Sequence, residues 1–494
     1  MSQPQAASPP PAAASSASTV DQLLASFPAL PGRQASELRS LVEILVESVG
    51  NGALTPGGHP ELELAEHIAD IDTLLCLQVN EILHAPEFQR LEGAWRGLQY
   101  LVSRADTGEL LKIRVLNASK SDLAKDLESA SEFDQSALFW KIYEEEYGTF
   151  GGEPYGAIIG DYEFGRHPQD IALLERFSGV VAAAHTPFLA AASPAILGWE
   201  SFAELSVPRD LGRIFGAPEY VKWRSFRDSE DSRYVGLTLP RILLREPYDP
   251  ETTPTQSFPF QEAVDGTDQT KYLWGSSAWA FGARLAEAFA RFSWCAMIRG
   301  VEGGGLVEGL LGAAFDTDTE GIAVRGPTEF VITDLREKEL ADQGFIPLAH
   351  CKGTENAAFF SAQSCQRAKR YDTDEANANA RMSTQLQYIF STSRFAHYLK
   401  VMMRDKTGSN LTVDECERFL NDWLLEYCLS NPEDAGPDTR ARKPLREARA
   451  SVRAVRGKPG VYEAVIHLQP HFQLDELTVN LRLVTELPRP ARAG

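Results

Sequence analysis

Residues 157–192, AIIGDYEFGRHPQDIALLERFSGVVAAAHTPFLAAA, decide the fold class. Ala157 to Phe164 alternates like a strand, Ile171 to Ala184 carries apolar residues at helical spacing, and Phe188 to Ala192 is a short uninterrupted apolar run. A strand, a helix and a second apolar strand in that order imply an α/β layer with a parallel or mixed sheet. The most lipid-like window, Val180 to Leu197, contains His185, Pro187 and Pro194 and is marginal in length for a membrane span, so it reads as buried helix end, turn and strand.

Working outward, Leu111 to Leu116 is strand-like and Ser121 to Ser129 helical. Upstream, Ile68, Ile71, Leu75, Val79 and Ile82 step by three and four; Pro86 divides them from Phe88, Leu91, Trp95, Leu98 and Val102, predicting two packed helices. Downstream, 199–275 is rich in Pro, Arg and aromatics without steady period and reads as long ordered insertions. Trp279 to Ile298 returns to helix, and Glu329 to Ser361 reads as a strand, a short charged turn and a hairpin. Asp374 to Asp405 is a helical stretch, Val413 to Cys428 a second helix, and Val461 to Leu468 and Leu477 to Leu487 are strands. In the last strand Leu477, Val479, Leu481 and Leu483 alternate with polar residues.

Residues 2–18 contain only Ser, Gln, Pro and Ala, so 1–18 is expected to be a disordered tail. Thr19-Val-Asp-Gln22 matches a capping box, and Val20, Leu23, Leu24 and Phe27 follow at helical spacing before Pro28. So short a helix is marginal alone and must dock on its own chain or on a partner. A second helix carries Leu38, Leu41, Val42, Leu45 and Val49 and ends at Gly50-Asn51-Gly52. No basic segment leads into an apolar core, so no secretory signal is expected.

The chain has 494 residues, with 48 Lys+Arg against 69 Asp+Glu, a formal charge of −21. That balance opposes nucleic acid as the main partner. The charge is uneven: residues 431–494 sum to +3 and the rest to −24. Arg440, Arg442, Lys443, Arg446, Arg449, Arg453, Arg456 and Lys458 concentrate the basic groups in one segment, either an interaction surface or a merely solvated helix. Six cysteines in so long a chain, with no C-x-x-C pair, fit a reducing compartment.

Motifs for chemistry are scarce. Gly303-Gly-Gly305 with Gly309 lacks the Lys and Ser/Thr of a phosphate loop and reads as a tight backbone turn. Asp316, Asp318, Glu320 and Gly321 copy half of a calcium loop whose closing twelfth position is Pro327. His350, Cys351 and Cys365 fall short of four zinc ligands. Glu144, Glu145 and Glu146 with Asp161 and Glu163 are dense in carboxylates, but a run on one helix points its members apart. Neither a G-x-S-x-G elbow nor H-E-x-x-H occurs. No catalytic residue, cofactor or metal is predicted.

LEGAWRGL (91–98), KIYEEEYGTFGGEPYG (141–156), RFSWCAMIRGVEGGGL (291–306), FFSAQS (359–364), ANANAR (376–381), RFAHYLK (394–400) and LQPHFQ (468–473) resemble the large subunit of the type VI secretion contractile sheath, the TssC or VipB family. The resemblance spans roughly 60–488. It implies a mixed α/β, phage-tail-sheath-like subunit: a helical segment at 19–58, an N-terminal and central sheath domain at 59–370, and a C-terminal α+β core at 374–494 with an augmenting strand. It implies a non-enzymatic role without cofactors: pairing with the small sheath subunit (TssB or VipA), stacking with other heterodimers as six-fold rings around the Hcp tube, and contraction that drives the tube outward. The ClpV ATPase would then dismantle the contracted sheath.

By the same resemblance the protein works in the cytoplasm of a Gram-negative bacterium, attached to the membrane complex through the baseplate, with no membrane insertion of its own. On this reading Val20, Leu23, Leu24 and Phe27 are the ClpV-binding element. Leu477, Val479, Leu481 and Leu483 form a strand exchanged between subunits. Arg442, Lys443, Arg446, Arg449, Arg453 and Arg456 face the tube or a neighbour. The competing expectation is a cytosolic α/β enzyme with an unrecognised carboxylate-lined site.

Overall fold

A computed structural model describes residues 20–21, 23–25, 33–50, 60–207, 209–256, 258–264, 266, 268–316, 323–351, 354, 356–406, 412–429, 431, 434–454, 462–471 and 481–486. The tail 1–18, Phe27, Arg456, Leu477 and Val479 lie outside the described residues. The chain divides into two compact units, residues 1–82 with 248–262, and residues 83–247 with 263–494.

The smaller unit contains helices α1 (Arg33–Gly50) and α2 (Pro60–Leu83). Within it, Asn80 donates its side-chain amide to the carbonyls of Cys76 at 2.8 Å and Gln261 at 3.3 Å, tying the 248–262 excursion to α2.

The larger unit begins with α3 (Pro86–Arg104), so the two helices read as a packed pair fall in different units. The apolar stripe of α3 faces outward: Phe88, Leu91, Trp95 and Val102 are exposed, Trp95 at 65%, whereas Gly93, Gly97 and Leu101 are buried. The reason is close approach. A Cβ on Gly97 would lie 2.2 Å from the Trp279 indole, so the glycine face is the only one flat enough to pack there.

Six strands form one mixed sheet: β1 (Ile158–Phe164), β2 (Phe188–Ala192), β3 (Val235–Leu239), β4 (Leu306–Val307), β5 (Phe345–His350) and β6 (Ala357–Phe359). Their order is β1-β2-β3-β5-β6-β4. The first four in that order run parallel; β6 pairs antiparallel with both β5 and β4. Parallel strands covered on both faces read as continuous apolar runs, which is why β2 and β3 are buried at every position. Successive side chains still alternate. Phe188, Ala190 and Ala192 join Leu174, Phe177 and Val181 of α5 (Pro168–Ala184) in one core, while Leu189 joins Phe281 and Leu285 of α6 (Ala278–Phe292) in another.

Several elements depart from the sequence reading. Residues 111–116 have no regular secondary structure and join no sheet, and the helix after them is α4 (Lys120–Ser129). The insertion region holds the central strand β3. The charged turn after Glu329 is a helix, α7 (Asp334–Asp342). The helix expected to run to Ile298 stops at Phe292, where Ser293 turns left-handed at φ 65. The 374–405 stretch is two helices, α8 (Asp374–Met382) and α9 (Leu386–Asp405). They separate because the Ser364 N–H and hydroxyl donate to the Thr384 carbonyl, and the Leu386 N–H donates to the Ala362 carbonyl.

The C-terminal part is α+β. Helix α10 (Val413–Leu425) opens on a capping box of Thr412 and Glu415 and lies on a three-stranded antiparallel sheet, β7 (Leu445–Ala454), β8 (Tyr462–Pro470) and β9 (Leu481–Glu486). Its core joins Phe395 and Leu399 of α9, Leu420 and Leu424 of α10, and Ala450, Val452, Ala464 and Ile466 of the sheet. Trp294 stacks on Phe395 at 4.1 Å. The basic segment is therefore no single helix: Arg442 closes the short helix Pro437–Arg442, and Arg446, Arg449 and Arg453 stand on β7.

Candidate functional site

Most of the described residues weighed for chemistry are engaged in holding the fold, and Asp318, Glu320 and Gly321 of the half calcium loop lie outside the described residues. Glu163 accepts two hydrogen bonds from Arg241, at 2.5 and 2.7 Å, and Asp161 accepts one from the Trp279 indole at 3.1 Å. Burial raises the pKa of Asp161 despite that bond. Glu146 is buried against Arg114 and accepts the Glu153 N–H at 2.7 Å, while Glu144 and Glu145 point to solvent. The glycine loop packs backbone on backbone: Gly300 N–H donates to the Phe359 carbonyl at 2.7 Å, and a Cβ on Gly304, whose φ is 87, would sit 2.4 Å from the Met297 oxygen.

Cys295 and Cys365 are pushed up to about 12 by burial, which makes both thiols inert. All six cysteines are free. Among the described residues no group of three or more His, Cys, Asp or Glu side chains could hold a metal ion, and no helix is long and apolar enough to cross a membrane.

The C-terminal sheet is a different kind of site. On β7 the even positions Ala448, Ala450 and Val452 face the core and the odd positions Arg449, Ser451 and Arg453 are exposed. In register, Arg449 lies opposite His467 and Arg453 opposite Glu463. Arg453 is engaged: its Nε and Nη2 reach Glu463 Oε2 at 3.0 and 2.9 Å. Arg442, Lys443, Arg446 and Arg449 are exposed.

On the outer side of β7 the backbone is already paired. Asn421 of α10 donates to the Ala450 carbonyl at 2.9 Å and accepts the Ala450 N–H at 2.8 Å, and Glu417 accepts the Val452 N–H at 2.9 Å. Strand β9 pairs with β8 of its own chain, with Leu481 opposite Leu468 and Leu483 opposite Ile466, and β8 is its one partner among the described residues. Asn421 and Glu417 were not singled out from sequence; their i, i+4 spacing on α10 is the only local signal.

At the other end, Val20 is buried at 4%, Leu24 is half-buried and Leu23 is exposed at 38%. Asp21 pairs with Arg39 of α1 at 3.1 Å.

A mixed sheet covered by helices is followed by a small α+β module, and these two regions match the two domains of a tail-sheath protein, a structural building block. Residues 65–366 match the family model VipB, described as EvpB/VC_A0108, tail sheath N-terminal domain, and residues 375–487 match VipB_2, the tail sheath gpW/gp25-like domain of the same family. The chain is 50% identical over 428 residues, 86% of each chain, to the type VI secretion system sheath protein TssC1 of Pseudomonas aeruginosa. The chain belongs to the VipB family of type VI secretion sheath large subunits, which are structural proteins and not enzymes.

Proposed function

We propose that this chain pairs with a small sheath subunit of the TssB or VipA kind, and that the heterodimers polymerise around an Hcp tube in the cytoplasm and contract to propel it. A baseplate anchors the polymer to the membrane complex, and a ClpV-type ATPase dismantles it after contraction. The observation that carries this reading is the 50% identity over 86% of the chain to a type VI sheath protein.

The geometry of the C-terminal sheet supports the pairing mode. Residues 471–480 separate β8 from β9, so the segment bearing Leu477, Val479, Leu481 and Leu483 has the chain length to lie beside the β8 of a neighbour as readily as beside its own. Backbone hydrogen bonds supply the affinity and alternate side chains the register. The exposed Arg442, Lys443, Arg446 and Arg449 provide a basic surface that steers an acidic face of the tube or of a neighbouring subunit. Val20, Leu23, Leu24 and Phe27 form the ATPase-binding element.

The test is negative-stain microscopy of the chain co-expressed with its small subunit. Tubules are expected, and they are expected to vanish when residues 477–494 are deleted. Monodisperse particles from the intact pair would refute the sheath role; tubules that survive the deletion would refute strand exchange alone.

A further inference from the structure

The last carbonyls of a helix lack intrahelical partners and carry its partial negative charge. At the C-terminal end of α5 every carbonyl from 181 to 185 has a donor. The N–H of His185, left-handed at φ 52, serves Val181 and Ala182, and the Thr186 N–H also serves Val181. The Thr186 hydroxyl serves Ala184 at 3.1 Å, and all three remaining carbonyls have donors from elsewhere in the chain. Tyr147 donates its hydroxyl to Ala184 at 2.7 Å, His397 Nε2 lies 3.2 Å from the Ala184 oxygen and 2.9 Å from that of His185, and Lys400 Nζ donates to Ala183 at 3.4 Å. Because both neighbours of His397 Nε2 are carbonyls, that nitrogen carries the proton.

A second helix end is held by the same element. Arg404 Nη1 donates to the carbonyls of Glu146 and Thr149, at 3.2 and 2.8 Å, closing the helix Glu145–Gly148. That helix follows a π turn, Trp140–Glu144, which sets Tyr143 so that it and Tyr147 flank the Lys400 ammonium at 5.1 and 5.0 Å. His397, Lys400 and Arg404 are spaced by three and four on α9 and share one face. Both helix ends belong to the region matched by the N-terminal sheath model, and α9 to the region matched by the second.

We propose that this face of α9 is a lock: beside the apolar seam in which Leu386, Ile389 and Phe390 of α9 join Leu189 and Phe281, it holds two helix C-termini and so fixes the outer half of α9 and the C-terminal core behind it to the N-terminal region, and the connector between the regions opens only when it releases. The covalent connector between them, 367–373, is held on one side by Arg367 to Asp228 at 2.6 Å and Lys369 to Glu230 at 2.9 Å. The Arg367 N–H also donates to the Arg227 carbonyl at 2.8 Å, so a closed lock leaves the start of that exposed connector tied to the body. The lock stands on contacts within one chain; the division into two regions follows the sheath models, and the test needs no assembly.

The test is limited trypsin digestion of the full-length chain, scored at Arg367, Lys369 and Arg370. The double variant H397F/R404M is expected to be cut in the connector at least tenfold faster than wild type, with its helical circular dichroism unchanged. L174A, which weakens the α5 core without touching the lock, is expected to accelerate digestion without favouring the connector. Connector cleavage within twofold of wild type in the folded double variant overturns the proposal, as does equal preference for the connector in L174A. If the double variant does not fold, R404M alone decides: about threefold faster connector cleavage supports the lock, and an unchanged rate overturns it.

Discussion

The Asn421 side chain makes two hydrogen bonds to the backbone of Ala450, 2.9 Å to its carbonyl and 2.8 Å from its N–H, and so does for one residue what a neighbouring strand would do. An unpaired sheet edge is a template for unwanted pairing, and this side chain covers it. Removing the amide leaves a buried backbone donor and acceptor without partners. N421L is therefore expected to cost about 1–3 kcal/mol, read from urea unfolding of the full chain; a change below about 0.5 kcal/mol would mean water replaces the amide.

Acid should weaken the seam between α5 and α9. Burial pulls His397 down to about 3, helped by the cations Arg394 and Lys400, and pulls His185 well below the usual histidine range. The unfolded chain binds protons at both rings below about 6.5 while the native chain refuses them. The stability from these rings is thus complete above about 6.5 and falls as pH drops below it, for His397 down to about 3, by about 1.4 kcal/mol per pH unit for each ring that the native chain keeps neutral. Urea midpoints at pH 7.5, 6.5 and 5.5 should decline in that order, and H397F should flatten part of the slope.

Lys400 behaves in the opposite range. Burial lowers it from 10.5 to about 8, so at pH 7 the native state carries an ammonium that burial opposes. Between about 8 and 10.5 the unfolded chain holds a proton that the native chain has lost, and stability rises with pH. K400M keeps the packing between Tyr143 and Tyr147 and removes the charge. It is expected to match or exceed wild-type stability at pH 7, by up to about 3 kcal/mol, and to abolish the rise above pH 8.

The two exposed arginines of β7 should separate in their effects. Arg449 has no carboxylate opposite it, whereas Arg453 meets Glu463 in register. R449E is expected to shorten or abolish tubules in microscopy while leaving the thermal midpoint within about 2 °C, since exposed substitutions alter stability by only about 0.5 kcal/mol. R453E places two carboxylates opposite each other and should lower the midpoint as well. Normal tubules from R449E would count against a basic contact surface.

Near the N-terminus, among the described members of the apolar set Leu23 and Leu24 are accessible and Val20 is buried. L23A/L24A is expected to abolish capture by the N-terminal domain of a ClpV ATPase while contraction persists. A wild-type affinity, around micromolar for so few buried side chains, would dispose of that role.

Strand β1 and helix α5 were legible from their periods, and β2 as an unbroken apolar run set off by Pro187 and Pro194 directly after a helix. Strand β3 was not. Val235–Leu239 is a five-residue apolar run between aromatic-rich loops, too short to reveal a period, and it is a strand because β2 and β5 flank it. Helix α7 was hidden for the converse reason: of DLREKELAD only Glu337 and Leu340 are buried, so it shows no apolar stripe. Strand β7 is built from Arg, Ala and Glu, good helix formers, and nine register pairs with β8 override that propensity.

The layered α/β core, the scarcity of catalytic groups and, through long shared runs, the sheath family were all readable from the linear chain. These depend on local period and on which residue types are present. Tertiary structure alone decided that the bulky stripe of α3 faces outward, that Asn421 closes a sheet edge 29 residues away, and that His397 meets the end of a helix 212 residues earlier. Such contacts join groups whose chemistry is ordinary in isolation. Only the packed chain brings a donor to a carbonyl that would otherwise be left without one.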